Sequence, residues 1–106
     1  MGQTYEKTNE QWYQSVWCHG NGGQSEILLE NNRRVDCLTD SHAIEMEFAS
    51  KWHHAIGQAL DYAMLTHKKA GIVLILRRPN DHYYWQQLNE TINYYQLPIM
   101  LWQLGP

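Results

Sequence analysis

The sequence predicts an α/β domain in which helices flank a mixed β-sheet. Three observations predict it: an amphipathic run over residues 51–67, a wholly apolar run over 72–76, and alternating apolar and acidic residues over 42–48. With the weaker patterns between them, these runs predict the element order α-β-β-β-α-β-α-β. A chain of 106 residues has room for one domain with one core, spanning residues 1–106.

The first half of the chain predicts one helix followed by three strands. Aromatic and apolar residues spaced four apart predict a helix over residues 4–17, which the glycine-rich segment 19–23 ends. Turn-forming residues at 31–34 and 39–41 separate the strands that follow. The three predicted strands are residues 25–30, 34–39 and 42–48.

The second half predicts two further helices and two strands. Ser50 is expected to cap a helix over residues 51–67, whose apolar side chains form one continuous stripe. The wholly apolar segment 72–76 predicts a central strand that is buried on both faces. A helix over 81–95 and a short strand over 98–102 complete the predicted sheet.

Composition narrows the classes of function. Charged residues make up 18% and the net charge is −3, which counts against a strongly basic nucleic-acid-binding protein but leaves room for a local basic patch. No apolar run is long enough to cross a membrane, and the first ten residues are polar. The only cysteines, Cys18 and Cys37, are too few for a disulfide framework, so we expect buried thiols in a cytoplasmic protein. Zinc binding with His19 and His42 is a weaker alternative, because the spacing is not that of paired ligands.

Acidic side chains lie in the predicted strands, where Asp and Glu are normally depleted. Asp36 is in the middle of the second strand, while Glu45 and Glu47 leave the same face of the third. Antiparallel pairing of these strands is expected to bring Asp36 near the glutamates. Converging carboxylates are ligands that Mg²⁺ prefers. The alternative is that Glu45 and Glu47 form the solvated face of an amphipathic strand.

The helix after the acidic strand carries three polar side chains on one side. Lys51, Gln58 and Tyr62 lie within a sector of about 40° at 100° per residue, beside the apolar stripe. Lys51 follows the acidic strand closely and is expected to reach an attacking water or a phosphate oxygen. The simpler alternative is an ordinary exposed lysine in the first turn.

In this order, the segments RVD, AIEMEF and IGQALDY resemble the core of the PD-(D/E)XK nuclease superfamily. That superfamily includes restriction endonucleases, archaeal Holliday junction resolvases and exonucleases of the RecB and lambda type. The resemblance covers residues 26–76 and implies a restriction-endonuclease-like core. The residues that match motif positions of the family are Glu26, Asp36, Glu45, Gln58 and Tyr62.

The resemblance implies a nuclease that uses Mg²⁺ or Mn²⁺. Asp36 and Glu45 match the metal-binding acids, and Glu26 stands for an upstream acid that some members have as a further ligand. Gln58 and Tyr62 match the Gln-x-x-x-Tyr motif of the RecB-like branch, in which Gln58 supports the catalytic site.

The chain departs from the family at Glu47, where the third motif normally ends in Lys. Some members also carry Glu at this position, and in others the lysine lies on the adjacent helix, where Lys51 stands here. We therefore expect Glu47 to be a further ligand or base and Lys51 to be the catalytic lysine. The alternative is a catalytically inactive binding module on the same fold, which the missing lysine and the acidic balance favour.

The expected partners are DNA and a second copy of the chain. Residues expected to contact the nucleic acid are Arg33, Arg34, Lys68, Lys69 and Tyr62, with the Arg77-Arg78 pair as a further basic turn. The apolar segment 94–102 is expected to form an exposed edge strand, which predicts a homodimer or larger homo-oligomer. The alternative is that this segment packs internally beneath the predicted helix 81–95.

Overall fold

A computed structural model describes residues 2–30 and 32–105 of the chain, with side chains described from residue 11 onward. Asn31, in the first predicted turn, lies outside the described residues. The helices are α1 (Gly2–Gly20), α2 (Trp52–Thr66) and α3 (His82–Tyr95). The strands are β1 (Gln24–Leu28), β2 (Arg34–Leu38), β3 (His42–Phe48), β4 (Lys69–Ile75) and β5 (Ile99–Leu104). None of the described helices is long and apolar enough to cross a membrane.

The described strands form one mixed sheet in the order β1-β2-β3-β4-β5. The first three strands pair antiparallel, whereas β3, β4 and β5 run parallel. α2 and α3 supply the crossover connections that parallel pairing requires. The sheet and its flanking helices confirm the predicted fold class. β4 is buried from Ala70 to Ile75 between two neighbouring strands, as its apolar sequence predicts.

Helices cover both faces of the sheet. On one face, α2 and α3 enclose the main core, in which Trp52 and Leu88 are buried. On the other face, α1 covers a smaller core that contains Ile44 and Met46 of β3. Side chains alternate along a strand, so the intervening Glu45 faces α2.

The start of α2 differs from the prediction. A 3₁₀ turn over Ala49–Lys51 precedes the helix, and Lys51 occupies the N-cap position without a side-chain cap. The expected cap by Ser50 was therefore wrong. Ala49 and Trp52 on either side of it are both buried, and the tight turn places Ser50 in solvent. His67, with a φ of 58°, ends the helix in the left-handed conformation.

The two cysteines form a disulfide. Cys18 near the end of α1 and Cys37 in β2 have Cα atoms 5.7 Å apart, and both side chains are fully buried. The prediction was right about their burial and wrong about free thiols. Folding packs the end of α1 against β2, which no sequence spacing indicated. The zinc alternative also fails, because both sulfur atoms are bonded to each other.

The C-terminal strand is an edge strand, as predicted. Ile99 is buried in the main core and Leu101 packs against it, so part of the segment packs internally. Tyr94 and Tyr95, at the end of α3, are exposed. The segment is therefore both an edge strand and partly packed inside the protein, because its inner side chains join the main core while its outer edge has no neighbouring strand among the described residues.

A candidate active site between diverging strands

The candidate site lies where β2 separates from β3. The two strands pair only at Cys37 with Ile44 and at Leu38 with Ala43. Beyond these pairs, the Oδ2 atom of Asp36 accepts a hydrogen bond of 2.8 Å from the Met46 backbone N–H. The carboxylate thus takes the place of a backbone partner and fixes Asp36 in the gap between the strands.

This gap opens into a cavity of about 260 Å³, which we name the acidic cleft. Its lining residues come from α1, β2, β3 and α2: Gln14, Arg34, Asp36, Glu45, Met46, Glu47, Gln58 and Tyr62. The structure therefore brings together the two acids expected to bind metal and both residues of the Gln-x-x-x-Tyr motif. Glu47, which stands where the family motif normally has Lys, lies in the same cleft.

Glu45 is a deeply buried acid of the cleft. Only 4% of its surface is exposed. Burial raises the pKa of Glu45 well above its ordinary value, and a hydrogen bond with Asp36 and the negative charges of Asp36 and Glu47 raise it further. The Met46 backbone opposes this shift. Burial and the neighbouring carboxylates therefore favour the protonated form of Glu45.

Tyr62 closes the cleft from the side of α2. Its ring is buried and packs with Val35 and Ala43. Burial raises the pKa of Tyr62, the nearby Glu45 and Asp36 raise it further, and Arg33 lowers it. A buried ring has no free face on which a base could stack, and the structure places Tyr62 among the acids of the cleft.

Glu47 is half-buried at the end of β3. Its Oε1 atom accepts a hydrogen bond of 3.1 Å from the Phe48 backbone N–H. This contact holds one carboxylate oxygen toward its own strand. Glu45 and Glu47 both line the cleft, in agreement with the alternation of side chains along β3.

Two residues predicted to be catalytic or metal-binding lie outside the cleft lining. Lys51 is exposed in the 3₁₀ turn before α2, although Gln58 and Tyr62 of the same predicted sector both line the cleft. Glu26 is exposed on β1, where its Oε1 atom lies 4.0 Å from Nη1 of Arg34. Arg34, predicted only as a nucleic-acid contact, is the basic residue that lines the cleft.

The other basic residues have separate surroundings. Arg33 forms an ion pair with Asp61 of α2. Lys69 pairs with His42 at the start of β3, five residues or roughly 16 Å of strand from Glu47. Lys68 donates hydrogen bonds of 2.8 Å to the backbone carbonyls of Thr39 and Asp40.

In the third basic pair, Arg77 lies over the ring of Phe48 at 3.8 Å from its centroid, and Arg78 is exposed. None of the Lys68, Lys69, Arg77 and Arg78 side chains lines the acidic cleft. The structure therefore spreads the dibasic pairs over several surfaces, and they do not form a single strip beside the acids.

The chemistry of the cleft suits a hard divalent cation in part. Its donors are carboxylate oxygens and the amide oxygens of Gln14 and Gln58, which Mg²⁺ prefers over nitrogen or sulfur. In the described part of the chain, no three or more His, Cys, Asp or Glu side chains are arranged as a group that could hold a metal ion. An ion in this cleft would therefore have at most two of these side chains as ligands, with water completing its coordination.

Sequence reasoning missed Gln14 and the Met46 backbone. Gln14 lies in a sparsely apolar helix, and nothing in its spacing indicates that α1 reaches the acids of β2 and β3. The Met46 N–H becomes available only because β2 diverges, which is a property of the sheet. No protein-family model, curated protein or solved structure matches the chain, so the family resemblance rests on its own residues.

Proposed function

We propose that this chain is a Mg²⁺-dependent nuclease-like domain that hydrolyses phosphodiester bonds in DNA. The observation that carries the proposal is the pairing of buried Glu45 with half-buried Asp36, which the divergence of β2 from β3 holds in one cleft. Burying a second carboxyl beside the first costs free energy. Pairs of this kind are concentrated at functional sites.

Asp36 and Glu45 are the proposed metal ligands, because a divalent cation would replace the proton that Glu45 holds. When bound, Mg²⁺ supplies Lewis acidity toward the scissile phosphate. We leave Glu26 out of the ligand set, since its side chain is exposed and does not line the cleft.

Three further residues of the cleft have proposed roles in the reaction: Glu47, Gln58 and Arg34. Glu47 accepts a proton from the attacking water, and Gln58 orients that water through its amide. Arg34 binds a phosphate oxygen at the entrance, where its charge complements the nucleic acid backbone. Lys51 stays in the proposal as a second cation that approaches when DNA is bound.

Nicking of supercoiled DNA in Mg²⁺ tests this function. We expect Asp36→Asn and Glu45→Gln to lower the rate roughly a hundredfold or more, because several kcal/mol of charge stabilisation is removed. Lys51→Ala should remove turnover while leaving DNA affinity within a few-fold. Glu90→Gln, an exposed change on α3, is the control and should cleave normally. Cleavage by Glu45→Gln at the rate of the unaltered protein would contradict the assignment.

A second candidate is a catalytically inactive interaction or binding module on the same fold, for which DNA is the partner to be tested. It is favoured by Glu47 in the place of the family lysine and by the position of Lys51 outside the cleft. This candidate predicts DNA binding without cleavage at any Mg²⁺ or Mn²⁺ concentration. Gel-shift and nicking assays on the same preparation distinguish the two.

We further propose a cytoplasmic protein that forms a homodimer through the uncovered edge of β5. The sequence predicts this location because two cysteines are too few for a disulfide framework. In the structure, however, Cys18 and Cys37 form a disulfide. Since cytosolic disulfides are mostly transient or redox-sensing, this location requires that the Cys18–Cys37 bond be reversibly reduced.

A further inference from the structure

The disulfide joins the end of α1 to β2 beneath the glycine-rich turn that leads into β1. Both sulfur atoms are fully buried. A Cβ atom on Gly23 would lie 2.6 Å from Sγ of Cys37 and 2.8 Å from Sγ of Cys18. The backbone of Gly23 therefore covers the disulfide, and only glycine fits at this close approach.

In the described part of α1, the side chain of Cys18 is the most deeply buried. Among residues 11–20, Cys18 alone is buried, while Trp12 and Val16 are exposed. Trp17 adds a half-buried contact, with its ring centroid 5.3 Å from that of Trp102. In this part of α1, the disulfide is therefore the one covalent link to the sheet, and it adds to the packing of Trp17 on the smaller core.

The same helix forms one wall of the acidic cleft. Gln14 lies about one helical turn before Cys18 and lines the cleft together with Asp36. Asp36 immediately precedes Cys37 in β2. Each half of the disulfide is therefore attached to an element that supplies a residue of the cleft.

We propose that Cys18–Cys37 is a reversible thiol–disulfide site that clamps α1 on the sheet, and that its reduction releases α1 and withdraws Gln14 from the acidic cleft. The effect on metal binding rests on the proposed function, whereas the release of α1 does not. The co-reactant is a dithiol.

The exchange proceeds in two steps. A thiolate of the dithiol attacks one protein sulfur, the protein S–S bond breaks, and the displaced sulfur takes up a proton. The second thiol of the reagent then attacks the mixed disulfide and displaces the remaining protein sulfur, which is also protonated. The protein gains two electrons and two protons, and the reagent becomes a cyclic disulfide.

Burial determines how the dithiol gains access. Because both sulfurs are covered, the reagent reaches them only when α1 opens locally about the glycine-rich turn. Two thiols need more room than two bonded sulfurs, and the backbone of Gly23 packs closely on both, since an added Cβ would lie within 3 Å of each. We therefore expect reduction to loosen the packing of α1.

Hydrogen exchange of the full chain, before and after reduction with dithiothreitol, tests the clamp. We expect the backbone amides of residues 11–20 to exchange roughly tenfold faster or more after reduction, with α3 unchanged as an internal control. The double change Cys18→Ser and Cys37→Ser should give the same pattern without reagent. Unchanged exchange in α1, or equal acceleration in α3, would overturn the proposal.

Titration with Mn²⁺ tests the link to the cleft. Reduction is expected to weaken Mn²⁺ binding several-fold, and Gln14→Ala should weaken it in the oxidised protein without faster exchange in α1. Equal affinity in both redox states would overturn the link. If α1 exchanges faster on reduction but Mn²⁺ binds to neither form, the clamp is supported and the proposed metal site is contradicted.

Discussion

Glu45 shows how strongly the fold changes the chemistry of one residue. In the sequence, Glu45 is one of two acids in a strand of alternating apolar and acidic residues. The sequence left open the alternative that both acids lie on a solvated face of that strand. In the structure it is buried against α2, beside Asp36 and Glu47. The solvated-face interpretation is therefore wrong for Glu45, because β3 lies inside the sheet and α2 covers that face.

The raised pKa of Glu45 predicts a stability that depends on pH. Above the ordinary pKa of 4.5 the unfolded chain has lost this proton, whereas the folded protein still holds it. The contribution of Glu45 to the free energy of unfolding is fully present below the ordinary pKa and falls as the pH rises through neutrality, because the folded protein binds a proton that the unfolded chain has lost. We expect Glu45→Gln, which stays neutral, to lose less stability than the unaltered protein between pH 5 and pH 8.

Denaturant unfolding at both pH values measures this difference. Glu90→Gln, at an exposed position of α3, is the matched control and should keep the pH dependence of the unaltered protein. If Glu45→Gln and the unaltered protein lose equal stability over this range, Glu45 does not hold the buried proton.

At the scale of elements, two glycines that both lie among apolar residues differ in the space around them. Gly71 lies in β4, where an added Cβ would be 2.7 Å from the Trp102 ring and 3.1 Å from Ile44. Gly57 lies on an exposed face of α2, where an added Cβ would meet nothing within 4 Å. Only the packing of the sheet distinguishes them.

This contrast predicts opposite effects of the same substitution. Gly71→Ala should destabilise the protein by roughly 1–3 kcal/mol, because the ring of Trp102 has to move. Gly57→Ala should stabilise it by roughly 0.5–1 kcal/mol, since Ala favours the helix interior. Thermal and denaturant unfolding measure both changes. A stabilising Gly71→Ala would contradict the packing of β5 on β4.

For the whole molecule, the two edges of the sheet differ. β1 carries Glu26, whose φ of 51° interrupts the regular strand, and such a distortion protects an edge from pairing. β5 has no charged residue from Ile99 to Leu104. An uncharged edge of this length is open to pairing with a second copy about a two-fold axis.

We therefore expect sedimentation at micromolar concentration to show a dimer. Met100→Lys places a charge on β5 at a position that is 52% exposed, and it should shift the protein to the monomer. Leu28→Lys, at a 58% exposed position of the opposite edge, is the control and should remain dimeric. A monomer for the unaltered chain, or for both variants alike, would contradict pairing through β5.

Local patterns were sufficient to predict most of the architecture. The apolar stripe of α2, the alternation in β3 and the apolar run of β4 each reflect burial that a neighbouring element must supply. The bounds of β3 agree with the prediction, whereas α2 starts after a 3₁₀ turn and β4 starts earlier, at Lys69. Ends of elements depend on partners, as the pairing of Lys69 with His42 shows.

The acids of the candidate site could be predicted because both the residue types and the order of the strands follow from the sequence. Asp36, Glu45 and Glu47 are unusual residues for strands, and a hairpin connects their strands. Tertiary structure decided the rest: β2 diverges from β3, α2 buries Glu45, α1 brings Gln14 to the cleft, and Cys18 meets Cys37. These contacts join residues far apart in the sequence, and their energies depend on packing and desolvation, which no local pattern contains.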